Sequence, residues 1–214
     1  MFCQALVILI LILLIYTIFK IIDTNYDNFS IENNKKVEST IDGKQYYVHG
    51  GHEDMQNASN MFAELNKTTT DVIEYIHNKY KNSENPRRKE VANLLIKRYD
   101  ESHLRESSPL NSKRDTSFTI NKGDIIAVCI RSGQINNQIH DKNTVLFVVL
   151  HEITHIAITA YDHPDEFWEV FKFILLEAEE AKLYISPNYA LDPREYCGIK
   201  INYNPRYDVT ISEI

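Results

Sequence analysis

One short motif in the sequence contains residue types that can bind a metal ion and use it in catalysis. It reads His151-Glu152-Ile153-Thr154-His155 and lies within the apolar stretch VLFVVLHEITHIAIT. Positions i and i+4 lie on one face of a helix, so the two imidazoles can reach one zinc ion. Glu152 lies beside that face and can polarise a zinc-bound water and accept its proton as a general base. The motif therefore predicts a catalytic zinc site on a helix.

The apolar residues around the motif favour a metal site. The five positions before His151 are Leu, Phe, Val, Val and Leu, which predicts that the helix is buried. Two histidines and a glutamate inside a buried helix are costly without a partner, and a metal ion is such a partner. The alternative is a pair of hydrogen-bonded core histidines.

A catalytic zinc site needs a third protein ligand, and we predict that it is His163. The helix can end near Ala160, turn at residues 161–162 and return His163 to the metal. Pro164 then suits the first position of a new helix. The alternative for His163 is a capping or surface role.

The helix that follows offers rival ligands. Glu177 or Glu179 would give a His-His-Glu set, although both fit the solvent face of that helix more simply, as does Glu180. The apolar stripe of the same helix is interpreted as core packing. It consists of Phe167, Trp168, Phe171, Ile174, Leu175 and Ala178.

Other reactive side chains show no catalytic pattern. Cys129 falls in an apolar strand, where a buried inert thiol is expected, and Cys197 lies in a more accessible segment. Tyr161 and Tyr196 are candidate donors to an oxyanion, and their spacing favours neither. The remaining histidines are interpreted as surface residues, with a reservation for the one in the loop before the motif; they are His49, His52, His77, His103 and His140.

Hydrophobic periodicity predicts the elements that position the motif. Helices are expected over residues 57–81, 87–99, 144–159 and 164–182, a loop over 100–115, and an irregular but packed tail over 183–214.

A β-hairpin is predicted just before the metal-binding helix. Its strands are residues 116–121 and 124–131, joined by Lys122-Gly123, and the second strand is apolar on both faces, which is typical of a central strand. We expect one edge of this hairpin to line the substrate cleft and to pair with an extended peptide. The alternative is that the hairpin only caps the core.

The amino-terminal segment is typical of a membrane anchor. Residues 2–19 carry no charge and would span roughly 27 Å as a helix, close to the bilayer core. A cleaved signal peptide is the alternative, but the segment lacks a basic start and a small-x-small cleavage site. We therefore predict a transmembrane anchor over residues 1–22, a polar linker over 23–45 and a folded domain over 46–214.

Two signals disagree on the side of the membrane that the folded domain occupies. Lys20, Lys35 and Lys36 follow the anchor and no basic residue precedes it, which favours a cytosolic domain. Glycosylation sequons at Asn28, Asn57 and Asn66 point the other way. We expect the cytosolic placement, because sequons arise by chance in a chain rich in Asn.

Composition excludes several classes of protein. The chain has 214 residues, 43% of them hydrophobic and 25% charged, which is typical of a folded domain. The net charge of -7 argues against a protein that coats nucleic-acid phosphates. Three cysteines are too few for a disulfide-stapled miniature.

The motif residues resemble those of the WLM and SprT-like zinc metallopeptidases. The likeness rests on residues 151–155, on His163 and on Phe167-Trp168. A longer resemblance, over residues 41–207, is to membrane-anchored metallopeptidases of large DNA viruses. It rests on Ile41-Asp42-Gly43-Lys44, Ile96-Lys97-Arg98-Tyr99, residues 108–112, residues 117–123, residues 171–175 and Tyr196-Cys197-Gly198. These resemblances imply zinc chemistry and a viral or host intracellular membrane.

We therefore expect an α+β metallopeptidase domain behind one transmembrane helix. One zinc ion is bound by His151, His155 and His163, Glu152 is the general base, and the partners are a peptide or protein substrate and a membrane, contacted through residues 2–22. The first alternative is a zinc-stabilised structural or adaptor protein without turnover. The second, which the SprT-like resemblance implies, is a protease of DNA–protein crosslinks; the acidic charge and the anchor argue against it.

Overall fold

A mixed five-stranded sheet is the framework of this α+β fold. The computed structural model describes residues 10–17, 31, 33–108, 116–132 and 138–214. The strands are β1 Asn34–Glu38, β2 Gln45–His49, β3 Leu104–Glu106, β4 Phe118–Ile120 and β5 Ile125–Val128. Their order is β1-β2-β3-β5-β4. The pairs β2–β3 and β3–β5 are parallel, while β1–β2 and β4–β5 are antiparallel, so β4 is an edge strand.

Five helices occur among the described residues. Residues 10–17 belong to α1, and the others are α2 Met55–Tyr80, α3 Pro86–Arg98, α4 Lys142–Ala157 and α5 Asp165–Glu180. The last four confirm the sequence prediction to within about two residues at each end, which is the usual precision for helix ends.

Two side-chain caps explain where α3 and α4 begin. The Asn85 side chain accepts hydrogen bonds from the backbone N–H groups of Arg87 and Arg88, and Pro86 occupies the first helical position. The Asp141 carboxylate accepts from the N–H of Thr144 at 2.9 Å. Each cap satisfies donors that would otherwise lack partners in the first turn.

The helix α4 occupies the centre of the core. It packs on β4 and β5 and contacts α2, α3 and α5. Eleven of its 16 residues are buried, which confirms the expectation from its apolar sequence.

The turn between β4 and β5 brings the hairpin against the helices. Asn121, Lys122 and Gly123 all have positive φ. A Cβ added at Gly123 would lie 2.9 Å from the carbonyl oxygen of Arg98 and 3.3 Å from a methyl group of Ile156. Only glycine combines that backbone conformation with such a close approach.

The tail contains a second hairpin that the sequence did not predict. Its strands are β6 Arg194–Tyr196 and β7 Ile199–Ile201, which pair antiparallel.

A disulfide between Cys129 and Cys197 ties this hairpin to the chain just after β5. The expectations of an inert thiol at Cys129 and an accessible thiol at Cys197 are therefore wrong. The fold brings together two positions 68 residues apart, and local sequence cannot report such a pairing.

Two segments expected to be irregular contain strands. β1 lies inside the predicted linker over residues 23–45, where it pairs with β2 over five residues. β3 lies inside the predicted loop over 100–115, and its three residues form the parallel centre of the sheet. Strands this short have no readable periodicity, so tertiary pairing decides their conformation.

The predicted anchor over residues 1–22 falls mostly outside the described residues, as do residues 23–30 and 32 of the linker. Among the helices of the part of the chain that the structure describes, none is both long and apolar enough to cross a bilayer. The anchor remains a prediction.

Candidate metal centre

Three imidazoles converge where α4 meets the loop that leads to α5. His151, His155 and His163 each offer a nitrogen, and these atoms all lie within 4.8 Å of one another. The Nε2 atoms of His151 and His163 are 3.0 Å apart. Successive turns of α4 supply the first two rings, and the loop supplies the third. The structure therefore places the predicted third ligand beside the predicted pair, and this triad could hold a metal ion.

The surroundings of the triad favour neutral imidazoles. Burial and the neighbouring imidazoles hold the pKa of His151 well below its usual value. Burial, with His163 and Lys122 nearby, lowers the pKa of His155 to about 4. A neutral imidazole keeps a lone pair, which is the form that binds a metal.

The donor set of the triad suits zinc. Imidazole nitrogens bind zinc at about 2.0–2.1 Å in tetrahedral sites, which puts two ligand nitrogens about 3.3 Å apart. The 3.0 Å separation of the His151 and His163 nitrogens is of this size. Three imidazoles also leave the fourth position open, as catalytic zinc sites require.

Basic side chains anchor the end of α4 and so help to hold the loop that carries His163. The Arg98 guanidinium donates to the carbonyl oxygens of Ile156 and Ile158, both at 2.9 Å. The Lys122 ammonium donates to the carbonyl oxygen of His155 at 3.1 Å and to that of Ala160. These cations satisfy carbonyls that have no partner within the helix. The following loop then turns sharply before His163.

A phenylalanine forms the floor of the triad. The ring of Phe167 lies 4.8 Å from that of His151, 4.6 Å from that of His155 and 4.5 Å from that of His163, measured between centroids. The neighbouring Trp168 ring stacks on His163 at 5.7 Å. The stripe on α5 is predicted to be core packing only; Phe167 is buried, but it also contacts all three imidazoles. The sequence signal for this role was the Phe167-Trp168 dipeptide, which begins four residues after His163.

The carboxylate of Glu152 is buried beside the triad and oriented by the edge strand. Its exposed fraction is 3%. The hydroxyl of Thr119 on β4 donates to Glu152 Oε2 at 2.9 Å and lies 3.2 Å from the Glu152 carbonyl oxygen. A hydroxyl in this position limits the rotation of the carboxylate. Sequence reasoning identified the strand but not Thr119, because no local pattern shows which side of β4 faces α4.

The triad opens onto a cleft that has two arms. The polar arm has a volume of about 290 Å³, and the side chains that belong to it alone are Phe118, Thr119, Asn121, Lys122, His155, Tyr161 and Asp162. The apolar arm has a volume of about 510 Å³, and its own residues are Thr116, Phe147, Val148, Trp168, Tyr196, Ile199 and Ile201. Ser117, His151, Glu152 and His163 line both arms. The triad therefore lies at the junction.

The edge strand runs along this cleft from one arm to the other. Thr116, just before β4, lines the apolar arm, and Asn121, just after it, lines the polar arm. The prediction that one edge of the hairpin lines the cleft is confirmed, as is the central position of the second strand, β5. Pairing of a peptide with β4 stays a prediction.

The rival acidic ligands lie in other interactions. Glu177 Oε1 accepts from the Tyr80 hydroxyl at 2.6 Å, and Glu177 Oε2 pairs with the Lys79 ammonium at 2.8 Å. Glu179 pairs with Arg206 at 2.7 Å. Among the described residues, neither belongs to a metal-binding cluster. Placing Glu177 on the solvent face was also wrong, since it is 6% exposed and packs against α2 through these two partners.

His140, the histidine in the loop before the motif, lies against the β6–β7 hairpin. Its Nε2 accepts a hydrogen bond from the backbone N–H of Cys197 at 3.1 Å, and burial lowers its pKa. It supports the β6–β7 hairpin rather than the triad. The other four histidines, His49, His52, His77 and His103, are half-buried.

The two candidate oxyanion donors differ in their surroundings. The Tyr196 hydroxyl donates to the carbonyl oxygen of Cys129 at 2.5 Å, so its proton is already used. It also lies 2.9 Å from the Ser117 hydroxyl, and Ser117 in turn accepts from the N–H of Cys129. Tyr161 is 77% exposed and lines the polar arm. Both side chains line the cleft, but Tyr161 is exposed while the Tyr196 hydroxyl is held in the core, so Tyr161 is the better candidate donor.

Comparisons with known proteins identify viral relatives. The chain is 34% identical over 167 residues to the uncharacterized protein R325 of Acanthamoeba polyphaga mimivirus, and this match covers 78% of the chain and 81% of R325. The uncharacterized protein 136R of Invertebrate iridescent virus 6 is 41% identical over 71 residues, or 32% of this chain and 38% of that protein. The uncharacterized protein 042R of Invertebrate iridescent virus 3 is 35% identical over 83 residues, or 39% and 50%.

No protein-family model matches the chain. No solved structure matches it either. The relationship to R325 extends over most of both chains, so this protein belongs to the family of large-DNA-virus proteins that includes R325 of mimivirus.

Proposed function

We propose that this protein is a membrane-anchored zinc metallopeptidase. The observation that carries the proposal is the junction of the cleft, where three convergent imidazoles and a buried glutamate line one wall and an edge strand borders the opening. Metal, general base and strand edge are the parts that peptide hydrolysis needs. The resemblance to WLM and SprT-like metallopeptidases supports the same chemistry.

In this proposal the residues of the chain have distinct roles. His151, His155 and His163 hold zinc, which when bound supplies Lewis-acid polarisation of water and of a carbonyl oxygen. Glu152 accepts the proton of the attacking water and passes it to the nitrogen of the leaving amine. Thr119 holds the carboxylate in the orientation that this transfer needs. The outer edge of β4 aligns the peptide backbone through hydrogen bonds that are largely indifferent to sequence.

The test is metal content measured by mass spectrometry beside a peptidase assay on the full chain. Wild type should contain about one zinc per chain and cleave an unfolded protein substrate, and His163→Ala should lose both properties because two imidazoles do not complete the site. His77→Ala, a half-buried histidine on α2, is the matched control and should keep both. A His163→Ala variant with full zinc and full activity would exclude this ligand set.

A zinc-stabilised structural protein is the second candidate, and the position of the triad favours it specifically. His151 and His155 lie on α4, His163 precedes α5, and all three pack on Phe167 of α5. A metal held there would join the two helices and stabilise the domain without turnover. Zinc binding that raises the melting temperature, with no cleavage of any substrate, supports this candidate over the peptidase.

We further propose that the domain resides in an oxidising environment. The Cys129–Cys197 disulfide supports this, because disulfides are rare in reducing compartments. It weighs against the cytosolic placement that the flanking lysines favour. The test is maleimide labelling of infected cells that are acid-quenched and then denatured, on a Cys3→Ala background; denaturation exposes the two buried cysteines, which should still resist labelling until a reductant is added. Complete labelling without a reductant would contradict this placement.

A further inference from the structure

The apolar arm of the cleft differs from the polar arm in a way that bears on substrate choice. Beyond the triad, its walls are largely hydrophobic side chains from three elements: Phe147 and Val148 of α4, Trp168 of α5, and Ile199 and Ile201 of β7. Its volume of about 510 Å³ exceeds what one large apolar side chain requires. Burying such a side chain there would remove apolar surface from water on both partners.

The orientation of β4 determines which substrate residue would reach this arm. The chain enters β4 at the apolar arm and leaves it at the polar arm. An antiparallel peptide on the outer edge of β4 would therefore run from the polar arm, past the triad, into the apolar arm. Antiparallel pairing is slightly more stable per residue than parallel pairing. The residue on the carboxyl side of the scissile bond would then face the apolar arm.

From this geometry we propose that the apolar arm selects substrates with a large apolar residue, such as Leu or Phe, directly after the scissile bond. This inference rests on the proposed peptidase function and names the substrate class of the same site. Because the polar arm presents Asn121, Lys122 and Asp162, the residue before the scissile bond is under no such apolar selection.

The wall formed by β7 is the part of the arm that can be altered without disturbing the core. Ile199 is 46% exposed and lies next to the Cys197-Gly198 turn, where the disulfide fixes the hairpin. Tyr196 holds the other strand through its hydrogen bond to Cys129. Ile199 is therefore the specificity-determining position that is easiest to test.

Trp168 provides a readout that does not depend on activity. It is the only tryptophan in the chain, and it lines the apolar arm while stacking on His163. Its fluorescence should change when a side chain enters the arm. The zinc-loaded Glu152→Gln variant, which should bind but not cleave, is the protein for this titration.

The experiment compares two peptides that differ only at the residue after the intended scissile bond, Leu in one and Gln in the other. The Leu peptide should bind Glu152→Gln at least about tenfold more tightly than the Gln peptide. Adding Ile199→Lys should remove most of that preference. Adding Leu191→Lys, a charge at an 82% exposed position in the tail that does not line the arm, should leave it intact.

Cleavage-site mapping with the wild-type protein on a peptide library completes the test. Enrichment of large apolar residues directly after the cut, lost in Ile199→Lys, supports the inference. Equal binding of the two peptides, or enrichment before the cut instead, overturns it while leaving the peptidase proposal in place. Absence of any cleavage refutes the peptidase proposal, and the fluorescence titration then still reports whether the arm binds apolar side chains.

Discussion

Two buried glutamates, Glu106 on β3 and Glu152 on α4, show how one residue type serves different purposes in two regions of this molecule. Both side chains are almost fully buried. Glu106 uses one oxygen to pair with the Arg131 guanidinium at 2.7 Å and the other to accept from the backbone N–H of His49 at 2.8 Å. Glu152 is held by a hydroxyl and lines a cleft beside three imidazoles.

The difference between these regions is the open space beside the carboxylate. Glu106 and Arg131 are each about 1% exposed and pair with each other, and Arg131 also pairs with the partly exposed Asp54 just before α2. Glu152 lies at the junction of two open arms. A buried carboxylate is therefore a candidate for catalysis here because of the space next to it, and burial alone does not distinguish the two.

The largest expected effect is on turnover, and it concerns Glu152. Glu152→Gln keeps the shape of the side chain but cannot accept a proton, so kcat should fall by about 10²–10⁴-fold. Zinc content and melting temperature should stay close to wild type. Steady-state kinetics with metal analysis and a thermal melt are the measurements. Activity within a factor of two of wild type would remove Glu152 from the mechanism.

The next effect is on stability, and it concerns the Glu106 region. Arg131→Met leaves the Glu106 carboxylate buried beside an apolar side chain, which should cost about 3–5 kcal/mol in the free energy of unfolding. The turnover of the fraction that remains folded should be unchanged. Denaturant unfolding provides the measurement, and the double variant Glu106→Gln with Arg131→Met should recover part of the loss because both charges are then gone. Loss of turnover without loss of stability would reverse the roles of the two regions.

A comparable loss of stability is expected when the Cys129–Cys197 disulfide, which holds the β7 wall of the apolar arm, is removed. The double variant Cys129→Ala with Cys197→Ala removes a disulfide that closes a loop of 68 residues, a loss of about 2–4 kcal/mol. The apolar arm should be affected more than the triad, because only the hairpin is tied through this bond. Zinc content should therefore persist while the preference for an apolar residue weakens. Reduced zinc with an unchanged preference would show that the disulfide supports the triad instead.

The smallest effect should come from the hydroxyl that orients Glu152. Thr119→Val keeps the shape of the side chain and removes the hydrogen bond, which should lower kcat by about tenfold with little change in KM. Thr119→Ser restores a hydroxyl and should recover most of the activity. A purely structural role would instead lower the melting temperature in both variants and leave kcat of the folded protein unchanged.

Some features of this protein follow from local sequence. The i, i+4 spacing of His151 and His155 in an apolar stretch predicts both a helix and two ligands on one face, because helical geometry alone relates those positions. His163 lies within a dozen residues of the first ligand, so a single turn suffices to bring it back. The four long helices are likewise predicted from local sequence, because their apolar residues recur at helical spacing.

Other features were decided only by tertiary structure. Thr119 reaches Glu152, Phe167 supports three imidazoles, and Cys129 meets Cys197, each through contacts that sequence spacing does not encode. The strands β1 and β3 are too short to show a period, and they exist because neighbouring strands supply their hydrogen-bond partners. The identities of the candidate metal ligands are thus a local property of the chain. The orientation of the Glu152 carboxylate and the arrangement of the apolar wall and the edge strand depend on packing between segments far apart in sequence.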